Sequence, residues 1–151
     1  FMVGSHIAHD CKIESNVIMA NNATLAGHVE IGENAIIGGN SAVHQFVKIG
    51  KFSMIGGMSG VEKNLLPYCL YIGIRTGIKG LNLIGLKRKN VSNANIKMIS
   101  SFLKYLLNKE SSIEEKINKL EKKYLEINEI KEIIDFIQNS NKRGISSLNN
   151  E

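Results

Sequence analysis

The sequence contains one proline and two cysteines in 151 residues. No apolar run approaches the ~18–20 residues that a membrane-spanning helix needs. Scarce proline together with 43% apolar residues excludes a proline-rich or disordered linker protein. Cys11 and Cys69 are too few for a disulfide scaffold, and their spacing is unlike that of a metal clip. An initiator Met is also missing: residue 1 is Phe, and no signal-peptide pattern follows it. The chain is therefore expected to be part of something longer. Its length fits one domain, or one domain with an appendage.

The net charge of +5 is unevenly spread. Residues 1–66 carry four Lys against five acidic residues, whereas residues 67–151 carry fifteen Lys and Arg against nine. A basic half could attract nucleic acid, anionic lipid or an acidic protein. The plainer reading is a solvated helical surface, and composition favours it.

What the first half does have is a period of six. Phe1, Ile7, Ile13, Met19, Leu25, Ile31, Ile37, Val43, Ile49, Ile55 and Val61 are all large and apolar. Four residues after these anchors, from Ser5 to Ser59, every position is small or Val. Three residues after them Gly4, Asp10, Asn16, Asn22, Asn34 and Asn40 recur, types that tolerate positive φ in a turn. A six-residue unit is one short strand and a corner. It cannot bury its apolar side alone, but stacked coils share a continuous core. Three units close a triangular coil, with coils about 4.8 Å apart.

Pro67 ends the regular repeats, and residues 68–86 read as looser strand and loop. From Ser92, a candidate N-cap, the period becomes helical. Ile96, Ile99, Leu103, Leu106 and Leu107 form one buried face. A second helix is expected from Ser111 or Ser112, with Ile113, Ile117, Leu120 and Tyr124 on its stripe. A third is expected from about Asn128, carrying Ile130, Ile133, Ile134 and Ile137. Lys97–Lys131 reads mostly as solvated surface, and the polar tail Ser146–Glu151 as frayed.

All four histidines, His6, His9, His28 and His44, lie in the repeat half. With an 18-residue coil, His9, Gly27 and Gln45 share one repeat position, and His28 and His44 flank that column. A row of imidazoles is not needed to build a core. Histidine is the natural general base near neutral pH. Asp10 could orient the His9 ring, or could simply be a corner residue.

The repeats resemble those of the left-handed parallel β-helix acyltransferases, and the resemblance supplies the hand. The general rule for parallel crossovers would favour the opposite one. More specifically, His6-Ile-Ala-His9-Asp10-Cys11, Ala20 through Val29, Ala42-Val-His44-Gln45-Phe46, Gly56 through Val61 and Gly85-Leu-Lys-Arg88 resemble the UDP-N-acetylglucosamine O-acyltransferases of lipid A biosynthesis. The likeness runs from near Val3 to about Gly144 and covers roughly the C-terminal three-fifths of the family's longer enzyme. It implies a β-helix over residues 1–86 and a C-terminal helical domain over 87–151.

The resemblance further implies that an (R)-3-hydroxyacyl group passes from acyl carrier protein to the 3-hydroxyl of UDP-N-acetylglucosamine. His9 matches the catalytic base, Asp10 the carboxylate that positions it, and Gly27 the backbone donor facing the thioester carbonyl. His6, His28, His44 and Gln45 match residues that line the site. Asn82 and Arg88 match the nucleotide-sugar contacts, since a guanidinium suits a diphosphate. Gly57 matches the gauge of acyl length, and a Gly there leaves room for a longer chain. No cofactor or metal is implied, and the enzymes are cytoplasmic homotrimers with sites between subunits. Acyl carrier protein is acidic, so Lys87, Arg88 and Lys89 would steer it, and nucleic acid drops out as a partner.

Three positions depart from the family. Ile84 stands for a Glu, Lys89 for an Arg and Arg75 for a His. Two other enzymes remain as alternatives. One is the later N-acyltransferase of the same pathway. The other is a γ-type carbonic anhydrase, for which His9 and His44 could supply two zinc ligands, but the position expected for the third, residue 49, is Ile.

Overall fold

A computed structural model describes residues 1–149. Ten two-residue strands follow at six-residue intervals: β1 (His6–Ile7), β2 (Lys12–Ile13), β3 (Ile18–Met19), β4 (Thr24–Leu25), β5 (Glu30–Ile31), β6 (Ile36–Ile37), β7 (Ala42–Val43), β8 (Lys48–Ile49), β9 (Met54–Ile55) and β10 (Gly60–Val61). Two longer strands, β11 (Cys69–Tyr71) and β12 (Ile78–Leu81), close the series. Ile7 lies beside Leu25 and Leu25 beside Val43, each pairing parallel and 18 residues on. The other faces repeat this register, Ile13 with Ile31 and Ile49, and Met19 with Ile37 and Ile55. Three sheets result: β1-β4-β7-β10, β2-β5-β8 and β3-β6-β9-β11-β12. This is the parallel β-helix that the repeat predicts.

The anchors fill its interior. Met19, Leu25, Ile37 and Ile55 are completely buried, and Ala23, Val29, Ala35 and Val47 fill the narrow positions between them. Phe1 and Ile7 are exposed, because the first coil has a neighbour on one side only. Corners turn on residues with φ near +60°, including the expected Asp10, Asn16, Asn22, Asn34 and Asn40. The same conformation is held by His28, Phe46, Phe52 and Met58, where bulky side chains make it uncommon.

The prism closes where Pro67 packs onto Gly50, at which even a Cβ would lie 2.3 Å from the proline nitrogen. Helix α1 (Leu83–Arg88) begins within the stretch that reads as strand and loop, residues 68–86, and runs two residues beyond it. Fewer than two turns give no readable period, and its cap is the Asn82 side chain, which accepts from the Gly85 N–H. Helix α2 (Asn93–Leu107) starts at Ser92 as expected, the hydroxyl accepting from the Asn95 N–H. The expected second helix is broken into α3 (Ile113–Asn118), capped by Ser112, and α4 (Lys122–Leu125). Helix α5 (Asn128–Gln138) buries Ile130, Ile133 and Ile134.

One expectation has an exception and one is corrected. Between Lys97 and Lys131 the other lysines are exposed as expected, but Lys116 is buried: its ammonium donates to the Leu106 carbonyl (3.2 Å) and the Asn108 carbonyl, groups that the end of α2 leaves without helical partners. The tail is not frayed over residues 146–149. Ser146 donates to the Asn64 carbonyl, Ile78 to Ser147 and Asn149 to Ile78, so the returning chain satisfies backbone groups at the end of the prism. Residues 150 and 151 of that tail lie outside the described residues.

Candidate active site

The corner that follows β1, β4 and β7 carries His9-Asp10, Gly27-His28 and Gln45-Phe46 as three stacked layers. Parallel pairing ties them together: His28 donates to the His9 carbonyl (3.0 Å) and Phe46 to the Gly27 carbonyl (3.1 Å). The corner conformation turns Asp10 back on its neighbour, and its carboxylate lies 2.9 Å from His9 Nδ1. The His9 hydrogen bond, then the charge of His28 and more weakly that of His9, hold the carboxyl below the ordinary carboxylate value against a small opposing desolvation.

With Nδ1 donating to Asp10, His9 Nε2 keeps its lone pair. The ring lies over Gly27, where an added Cβ would stand 2.6 Å from both Cε1 and Nε2. Gly27 is needed for close approach, not for positive φ. Its own N–H has no hydrogen-bond partner among the described residues. His28 meets His9 edge to face, centroids 5.0 Å apart, and stacks on Phe46 at 4.8 Å. Its Nε2 is 3.8 Å from Asp10 Oδ2.

Among the described residues His9, Asp10 and His28 form the group whose donor atoms could converge on a metal ion. His44 is outside that group. Its Nδ1 lies 2.6 Å from the Arg143 guanidinium, whose Nε also donates to the Gln45 carbonyl (2.9 Å). Arg143 and Phe46 were not anticipated. For Phe46 the signal was available, since it occupies the repeat position of Asp10 and His28. Arg143 had none, being 99 residues from His44 in sequence.

The remaining expected residues lie elsewhere. His6 is exposed on β1, beside Thr24. Gly57 is exposed at a different corner, stacked on Gly39. Asn82 is buried and its amide is engaged internally, donating to the Phe52 carbonyl as well as capping α1. Lys87 and Arg88 are exposed at the end of α1. Lys89 is half-buried, 3.8 Å from Glu129 and 3.9 Å from Glu132, with its ammonium over the Tyr68 and Phe52 rings. It is therefore less free to steer a partner than Lys87 or Arg88. Arg75 pairs with Glu62 at 2.9 Å.

A cavity of about 350 Å³ lies between the β2-β5-β8 sheet and α5, bordered by Lys48, Lys51, Glu132 and Phe136. It does not include the histidine corner, which is open: the His9 and Asp10 side chains are each 65% exposed.

Residues 65–146 match the family described as Udp N-acetylglucosamine O-acyltransferase, domain 2. The chain belongs to the UDP-N-acetylglucosamine O-acyltransferase family. The acyl-[acyl-carrier-protein]–UDP-N-acetylglucosamine O-acyltransferase of Thermodesulfovibrio yellowstonii is 51% identical over 140 residues, covering 93% of this chain and 54% of that protein. The Campylobacter concisus enzyme of the same name is 42% identical over 144 residues, covering 95% of this chain and 54% of its own length. Among solved structures, the UDP-N-acetylglucosamine O-acyltransferase of Moraxella catarrhalis superposes with a TM-score of 0.88 at 38% identity, over 96% of this chain and 56% of that one. The chain thus spans about half the length of the curated family members it matches.

Proposed function

We propose that this chain carries the catalytic corner of an enzyme that transfers an (R)-3-hydroxyacyl group from acyl carrier protein to the 3-hydroxyl of UDP-N-acetylglucosamine, the first step of lipid A biosynthesis. The observation that carries the proposal is the His9–Asp10 hydrogen bond, with the free face of the same ring set over Gly27. His9 Nε2 removes the proton as the sugar hydroxyl attacks the thioester carbon, a role worth roughly 10²–10⁴-fold. Asp10 fixes the tautomer and stabilises the imidazolium that forms. The unpartnered Gly27 N–H faces the developing oxyanion, a contribution of about 3 kcal/mol. His9 returns its proton to the departing thiolate of acyl carrier protein.

His6, His28, His44 and Gln45 line the substrate site, Arg88 serves the nucleotide sugar from the helix whose start Asn82 caps, and Gly57 leaves room for a longer acyl chain. Exposed Lys87 and Arg88 suit an acidic carrier protein. No cofactor enters the reaction. An open corner is a poor place to stabilise an oxyanion, because water screens the donors. A second prism covering it would remedy this, so the working form is a cytoplasmic homotrimer with each site between neighbours.

The test is transfer from (R)-3-hydroxyacyl carrier protein to UDP-N-acetylglucosamine, followed by mass spectrometry of the sugar nucleotide. His9→Ala should lower the rate by roughly 10²–10⁴-fold; an unchanged rate would mean that His9 is not the base. Preference for the 3-O-acylated amine as acceptor would assign the chain to the N-acyltransferase step instead.

The His9–Asp10–His28 group gives the metalloenzyme reading a specific footing, although with Asp10 and His28 in place of the expected His44. Stoichiometric zinc together with CO₂ hydration would favour it over acyl transfer.

A further inference from the structure

The Arg143 contact says something about His44 that its position alone does not. An arginine side chain is protonated throughout the working pH range and offers five N–H donors and no acceptor. His44 Nδ1, 2.6 Å from it, must therefore present a lone pair. The alternative tautomer would put an N–H against an N–H. Its only compensation among the described residues would be the Gln45 carbonyl, which at 3.5 Å from Nδ1 lies at the outer limit of hydrogen-bond reach and is shared with Arg143 Nε at 2.9 Å.

The backbone that carries the guanidinium is itself held. Asn141 Oδ1 accepts from the Arg143 backbone N–H (2.9 Å) and from the Asn64 amide (3.1 Å), and the Asn141 amide donates to the Phe46 carbonyl (2.7 Å). The chain returning from α5 is thus pinned at several points to the corner that bears His9, Gly27 and Gln45. Nε2 of His44 has no partner among the described residues, and the side chain is exposed.

We propose that Arg143 is a positioning residue for His44. It fixes Nδ1 as an acceptor and leaves Nε2–H as the single polar hydrogen of the ring. His44 then serves substrate as a hydrogen-bond donor, to a carbonyl or phosphate oxygen, and not as a proton acceptor. The statement about substrate rests on the acyl-transfer reading; the statement about the tautomer does not.

Two measurements test it separately. The first is a long-range ¹H–¹⁵N spectrum of the histidine-labelled chain at about pH 8, above the ordinary imidazole range. The wild-type His44 ring should show Nδ1 as a hydrogen-bonded acceptor and Nε2 protonated. Arg143→Met should shift Nδ1 towards the averaged position of a free ring, and Arg143→Lys should retain the acceptor signal. Protonated Nδ1 in the wild type, or shifts untouched by Arg143→Met, overturns the tautomer assignment.

The second is a double-mutant cycle in transfer kinetics. Arg143→Met should raise KM for the sugar nucleotide about tenfold with kcat little changed, the scale of one charge-assisted hydrogen bond. In a His44→Gln background it should add no more than about twofold. An equal tenfold loss in both backgrounds would mean that Arg143 merely ties the tail down. Absence of transfer by the wild type would overturn the substrate statement together with the acyl-transfer reading, while the spectrum still decides the tautomer.

Discussion

The His9 imidazole occupies the space that a side chain on Gly27 would need. A Cβ there would stand 2.6 Å from Cε1 and Nε2. Gly27→Ala should therefore push the ring off its Asp10 hydrogen bond. Nothing in the core depends on this exposed ring, so unfolding by heat should change by only a few degrees. The transfer rate should fall by about 10²–10³-fold, the scale of a displaced general base, since Ala keeps the backbone N–H. Steady-state kinetics and a thermal melt on the same preparation separate the two effects, and a near-normal rate would show that the ring tolerates displacement.

Asp10 gives a pH-dependent expectation. The His9 hydrogen bond, then the His28 charge, lower its pKa from 3.8. A carboxyl depressed on folding adds stability above its unfolded pKa, and that stability is lost as pH falls through the folded value. The difference in unfolding midpoint between the wild type and Asp10→Asn should thus be present at about pH 6 and close below about pH 4. Asp10→Asn should also cut kcat by up to ~10⁴-fold, the scale of a buried triad carboxylate, because a neighbouring prism shields the corner in the proposed working form. A gap that widens in acid would contradict the sign.

Phe46 has φ +65° and stacks on His28. Asn adopts this conformation more readily than Phe, a relief of about 1 kcal/mol. The lost aromatic pair is worth a similar ~0.5–1.5 kcal/mol. Phe46→Asn should leave urea stability within about 1 kcal/mol of wild type, whereas the His28 ring resonances should shift. A loss above about 2 kcal/mol would show that ring packing outweighs backbone conformation.

Lys116 bonds the carbonyls at the end of α2 from a buried position. Lys116→Met keeps most of the apolar stem and removes these bonds, so it should cost about 1.5–3 kcal/mol in urea unfolding. Lys119→Met, on the exposed side, should cost less than about 0.5 kcal/mol.

Much of this molecule was legible in its sequence, because a six-residue period admits few packings. The anchors name the inward face, and the 18-residue coil alone places His9 beside Gly27. Other features obey no local rule. Phe46 and Met58 sit where the repeat calls for Asn, and only the coil's register carries them into positive φ. Lys116 looks like any surface lysine until the end of α2 comes beside it. The break between α3 and α4 has no Gly or Pro to announce it. Arg143 reaches His44 across nearly the whole chain, so its role depends on a tertiary return path that no spacing encodes. Asn82 shows the opposite case: a residue singled out for its chemistry proves to be bonded on both amide atoms within the fold.

The constant register also limits how such a corner could be altered. His9, Gly27 and Gln45 are rungs on a ladder whose rungs are one coil, about 4.8 Å, apart. Adding or removing one whole coil of sequence would change the height between functional groups and keep every anchor facing inward. Any length that is not a multiple of eighteen would turn the next rung away from its column, and one that is not a multiple of six would also turn the anchors outward. The reach of the site along the prism axis is therefore tunable only in discrete steps of one layer, and finer adjustment falls to side chains such as Arg143 that approach from outside the ladder.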